Sequence, residues 1–153
     1  MGTDIWVLSA SRSDLGEIDK LLSRYPISPR WFIQPASPAN FQFRSSADLT
    51  ALQAAQLAAE LSRLCAAFEI AQFAEEGSLY LYVKHLGLKR LAIDASGEVT
   101  LRVGQIEAIL SESGGNIGEF NRLIREATGT LWLDTLEPLR QGRPRIERLL
   151  RAI

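Results

Sequence analysis

The strongest constraint on the fold lies in the middle of the chain, where the apolar pattern takes a period of two. Leu79, Leu81 and Val83 alternate with Tyr80, Tyr82 and Lys84, the spacing of a strand with one face buried. Leu88 to Asp94 and Glu98 to Val103 follow as further strand-like runs, the last two joined by Ala95-Ser96-Gly97. Connections this short cannot carry a crossover, so strands joined by them run antiparallel. A three-stranded antiparallel meander is therefore expected from Leu79 to Val103.

Other segments add to that sheet. Asp4 to Ser9 has the β-branched and aromatic content of a strand. Arg30 to Gln34 and Asn40 to Arg44 read as a hairpin across Pro35 to Ala39, a loop with prolines near both ends. Thr130 to Asp134 is short and apolar enough for a final strand. The helices are read from spacing and caps. Asp14 with Glu17 is a capping pair before Leu15, Ile18, Leu21 and Leu22. Ser45 with Asp48 forms a capping-box pattern. The stripe Ala54, Leu57, Leu61, Leu64, Phe68, Ala71 then predicts one helix reaching Glu75 or Glu76, about 40 Å long at 1.5 Å per residue. Gln105 to Ser111 is a helix stopped by Gly114-Gly115. Asn116 with Glu119 opens another, with Ile117, Phe120, Leu123, Ile124 and Ala127 on one side. Pro144 opens a C-terminal helix carrying Ile146, Leu149, Leu150 and Ile153.

The expected architecture is α+β over residues 1–153 as a single globular domain. It is a mostly antiparallel sheet, made of the hairpin and the meander, packed on one face against one long helix and several shorter ones. With 153 residues, 46% apolar content and a net charge of −1, the chain is long enough to bury a core and too apolar to be disordered. It has no signal-type opening and no apolar run of spanning length. The lone Cys65 allows no internal disulfide and fits a reducing compartment. The expectation is a cytoplasmic protein that does not contact a membrane.

Signs of catalysis are sparse. No Walker A, G-x-G-x-x-G, G-x-S-x-G or H-E-x-x-H pattern occurs, so no cofactor is implied. The single histidine, His85, cannot make a multi-imidazole metal site. Cys65 with His85 as its base is one nucleophile reading, but Cys65 lies beside Leu61, Leu64 and Phe68, the setting of a core thiol. Asp94, Glu98 and Glu107 are the candidates for a carboxylate magnesium site, and turn and helix-end chemistry accounts for them equally well. The stretch Ile109 to Ile117 loosely resembles the loop of a KH domain. Ser111 stands where the first glycine belongs, and Glu112 sets negative charge where phosphate would lie, so the stretch reads as a helix corner.

Two features point to binding. Trp31 and Phe32 are neighbours on a strand and must face opposite ways, so one of them needs cover beyond the main core. Ala51, Ala55, Ala58 and Ala59 give the long helix a second face open to close approach. These six are the interface candidates. Charge is also divided: residues 1–77 carry −3 and residues 78–153 carry +2, with Arg140, Arg143, Arg145, Arg148 and Arg151 gathered at the end. That cluster is a candidate contact for an anion or a partner. The functional expectation is a non-enzymatic protein-interaction or regulatory module that binds protein, a second copy of itself included. A nucleic-acid binder using the C-terminal arginines is the alternative.

Overall fold

The computed structural model describes residues 2–140. Its centre is a six-stranded antiparallel sheet in the order β2-β3-β1-β4-β5-β6, and the fold is α+β with a mostly antiparallel sheet, as the sequence implies. The strands are β1 (Thr3–Ser11), β2 (Phe32–Ile33), β3 (Asn40–Ala47), β4 (Ala67–Gln72), β5 (Gly77–Val83) and β6 (Gly87–Ile93). The predicted hairpin forms, with Phe32 opposite Gln42 and Ile33 opposite Phe41. The alternation from Leu79 also holds. β5 pairs with β6 from Gly77↔Ile93 to Val83↔Gly87, and Gly87 takes the positive φ that the tight turn needs.

The meander is displaced by one strand. Its members are β4, β5 and β6, and Glu98 to Val103 is not a strand: Val99 makes only an isolated bridge to Ile93. Pairing reaches only Thr100, whose N–H donates to the Ala92 carbonyl at 2.9 Å, just beyond a turn built on the Asp94 side chain. The Asp94 carboxylate accepts from the Ser96 N–H and hydroxyl and from the Glu98 N–H, which closes a compact turn. Helix α3 (Val103–Ser113) then begins, and Gln105 caps it by accepting the Arg102 N–H at 2.8 Å.

The predicted long helix is two elements. α2 (Ala51–Leu61) starts from Thr50, not Ser45. The Gln53 N–H donates to the Thr50 hydroxyl at 3.1 Å, and the Thr50 N–H donates to the Gln53 side chain at 2.9 Å. Ser45 instead lies in β3 opposite Ile5. After Leu61 the chain turns and becomes β4, where Phe68 and Ile70 enter one face of the sheet and Ala67 the other. Helical and strand spacings coincide in a stretch this rich in alanine. α1 (Leu15–Ser23) forms, but Asp14 does not cap it; its carboxylate accepts the Ser11 hydroxyl at 2.6 Å. α4 (Ile117–Ala127) is capped as read, with the Asn116 side chain accepting the Glu119 N–H at 2.9 Å. Residues 130–140 are helical, not a strand. Trp132, Leu133, Leu136 and Leu139 recur at intervals of three and one and face the sheet together, a helical spacing that the five-residue window Thr130 to Asp134 is too short to display. This is α5. The predicted helix from Pro144 lies outside the described residues.

Helices cover both faces of the sheet, not one. On the first face α1 and α2 bring Ile18, Leu22, Leu57 and Leu61 onto Ile5, Val7, Phe43, Phe68 and Ile70. On the second, Leu136 of α5 is fully buried among Leu8, Leu79, Leu81, Leu91 and Ile93. Two polar ties hold the end of α5. The Gln34 amide, itself fully buried, donates to the Leu8 carbonyl at 2.6 Å and to the Leu139 carbonyl at 3.4 Å. The Arg140 guanidinium donates to Glu69 of β4, with Nε at 2.8 Å. Among the described residues no helix is long and apolar enough to cross a membrane.

Candidate docking surface

α3 and α4 form an antiparallel pair joined by Gly114 and Gly115. Gly114 adopts the left-handed cap conformation at φ +58° that ends α3. Each helix carries its apolar residues on one arc: Val103, Ile106, Ile109 and Leu110 on α3, and Ile117, Phe120, Leu123, Ile124 and Ala127 on α4. In α3 only Ile109 and Ser113 are buried, and in α4 no residue is. Val103 is 71% exposed, Leu110 54% and Ile117 77%. The outer side of α4 is polar and its charges pair with each other: Arg122 binds Glu119 at 2.5 Å and Glu126 at 3.5 Å. That side and α5 flank a groove of about 520 Å³, with Leu131 and Trp132 in its wall. Leu131 is half exposed. Apolar side chains exposed together on one element are the usual mark of a contact surface.

The interface candidates read from sequence do not come together. Trp31 packs edge-on against Phe43 with ring centroids 4.8 Å apart, and its indole N–H donates to Asp19 at 2.8 Å, so it belongs to the first core. Phe32 faces the other way and is 43% exposed beneath the Arg30 guanidinium. Ala58 is fully buried by its own chain and is closed to a partner. Ala55 is half-buried, and Ala51 and Ala59 are exposed. α2 therefore packs on one side. Arg140 is committed to Glu69 and Glu137. Arg143, Arg145, Arg148 and Arg151 lie outside the described residues.

The catalytic candidates are accounted for structurally. Cys65 is buried, its thiol donates to the Leu61 carbonyl at 3.2 Å, and burial pushes its pKa up, away from the thiolate a nucleophile needs. His85 is exposed on the turn after β5 and makes no hydrogen bond or ion pair among the described residues. Asp94 is the turn acceptor described above, and the Ser96 hydroxyl holds its carboxyl below the usual range. No group of three metal-ligating side chains occurs among the described residues. What the sequence reading missed is the outer row Val103, Leu110 and Ile117. Helical spacing showed that α4 is amphipathic; it carried no sign that, among the described residues, little else packs on the pair.

No curated protein and no solved structure matches the chain. A family model does match, over residues 15–148. That match takes in α1, every strand after β1, and the whole α3–α4 hairpin. The chain belongs to the family DUF3145, described as a protein of unknown function.

Proposed function

We propose that this chain is a non-enzymatic cytoplasmic protein-binding module that associates with a second copy of itself through the α3–α4 hairpin. The observation that carries the reading is that hairpin's exposure: α4 has no buried residue, and Val103, Leu110 and Ile117 stand out on the apolar arcs. Arg122 pairs with Glu119 and Glu126, and with Arg125 the positive and negative charges of α4 balance. A partner therefore needs no special charge there, and another apolar helix pair of the same kind fits. The lone buried thiol suits a reducing cytoplasm. Helices of 11 residues are only about 16 Å long, so the contact is small and the association reversible.

Light scattering across a concentration series tests this directly. The mass should rise from 17.0 kDa toward twice that value at tens to hundreds of micromolar. Leu110→Asp with Ile117→Asp should hold the chain at the monomer mass, with a melting temperature close to that of the wild type at low concentration, where both are monomers. A wild-type mass that stays at the monomer value throughout the series rejects the reading.

A further inference from the structure

Basic side chains among the described residues are almost all engaged, either in ion pairs with carboxylates or over aromatic rings. Three stand apart: Arg63, Lys84 and Arg102. Arg102 shares its groove with Glu75 and Glu76, which supply opposite charge nearby. Arg63 also borders a groove holding Glu17 and Glu60, but those carboxylates pair with Lys20 and Arg24, so Arg63 and Lys84 have no ion pair among the described residues. They come from separate turns, one after α2 and one after β5, and line the same pocket of about 190 Å³ at the end of the sheet. The Lys84 N–H donates to the Ala66 carbonyl at 2.9 Å, which pins the second turn beside the first.

The pocket is rich in donors and poor in acceptors. Its one carboxylate, Asp14, accepts the Ser11 hydroxyl at 2.6 Å. Arg63 brings five guanidinium N–H donors and Lys84 three ammonium donors, none of them used within the described residues. Tyr82 also lines it, and its hydroxyl has no partner among the described residues. Asn40 uses only one amide N–H, toward the Ser37 hydroxyl at 3.2 Å. Two unpaired cations and spare neutral donors around a small cavity match a compact multivalent oxyanion, which accepts several charge-assisted hydrogen bonds at once. We propose that this pocket binds a phosphate group, as free phosphate or on a small phosphate monoester. Arg63 and Lys84 supply the charge, and Tyr82 and Asn40 supply neutral donors.

The test is a titration of the isotope-labelled full chain, followed by backbone amide NMR at constant ionic strength. Sodium phosphate and glycerol 3-phosphate are the probes; sodium chloride and sodium acetate are the controls. Saturable shifts at Ser11, at residues 63–66 and at Lys84 are expected, with Kd of about a millimolar. In R63Q/K84Q the affinity should fall at least about tenfold, while R102Q should bind as the wild type does. The amide spectrum itself reports that each variant is folded. Tighter binding of phosphate marks a free-ion site, tighter binding of the ester marks a site for a phosphorylated small molecule, and both sustain the proposal. No saturation by either probe up to about 50 mM overturns it, as does binding undiminished in R63Q/K84Q or an equal response to acetate.

Discussion

The sheet and the α3–α4 hairpin are built from similar residues and treat them in opposite ways. In the sheet, apolar side chains are closed in from two sides: Phe68 and Ile70 by α1 and α2, Leu81 and Ile93 by α5. In the hairpin, residues equally apolar are covered from one side only, and Val103, Leu110 and Ile117 remain largely in solvent. Burial of a leucine or isoleucine side chain contributes about 1.5–3 kcal/mol. The sheet region therefore holds most of the chain's hydrophobic stabilisation, and the hairpin leaves part of its own unrealised until something packs on it. The difference separates a scaffold from a surface, and substitution of like residues in the two regions can break that separation.

The largest effect is expected at Leu136. It is fully buried, and Leu136→Ala should cost about 3 kcal/mol through lost burial and the cavity left behind. Thermal unfolding should show this as a fall in Tm of about 10 °C. A loss below about 1 kcal/mol would mean that α5 is only loosely docked and that the two regions are more alike than their burial suggests. Gly129, where α4 passes into α5, should be next. Its φ is +68°, and a Cβ there would lie 2.7 Å from Leu91 Cδ1. Gly129→Ala should cost about 2 kcal/mol, read from denaturant unfolding.

How well each region could be read from sequence follows the same division. The β5–β6 hairpin was legible because the alternation from Leu79 to Val83 and the short connection to Leu88 admit one arrangement only. β4 was not, because Leu57, Leu61, Leu64 and Phe68 keep a helical interval straight through the turn at Ser62 to Leu64. One feature of that break is local, the Ser62 hydroxyl that donates to the Ala59 carbonyl at 2.6 Å near the end of α2, whereas the box at Thr50 and Gln53 marks only where α2 begins. The docking surface was harder still. Periodicity says which residues share a side of a helix, and Leu110 and Leu136 look the same by that measure. Only the three-dimensional arrangement shows that α5 lies on the sheet and that, among the described residues, the hairpin packs chiefly on itself. The pocket at Arg63 and Lys84 is likewise a matter of which charges lack partners, which no spacing in the chain encodes.

Two medium effects probe the scaffold from its edges. Thr50→Ala removes the hydroxyl that accepts the Gln53 N–H and should cost about 1 kcal/mol. Tyr25 gives a pH test. Burial, with a hydrogen bond to Glu60 at 2.8 Å, raises its pKa from 10.0 to about 12. Below pH 10.0 the phenol is neutral in both folded and unfolded chains, and its contribution is fully present. Between 10.0 and about 12 the unfolded chain ionises first, so stability falls as pH rises through that window. Tyr25→Phe should flatten that part of the stability-against-pH curve. An unchanged slope would show that the α1–α2 side of the scaffold is more open than the sheet beneath it.

The smallest effect on stability is expected at Leu110, and it decides the comparison. Leu110→Ala repeats the chemistry of Leu136→Ala at a site that is 54% exposed. Within one chain little surface returns to water and no closed cavity forms, so the cost should stay within about 0.5 kcal/mol at low protein concentration. If the hairpin is covered by a second copy, the same substitution acquires a cost that grows with concentration, because association stabilises the folded state by mass action. Unfolding of wild type and Leu110→Ala at two protein concentrations separates the cases. A gap that widens as concentration rises makes Leu110 a residue of an interface. A gap of about 2 kcal/mol or more at the lowest concentration would instead place Leu110 in the core of its own chain and remove the distinction between scaffold and surface.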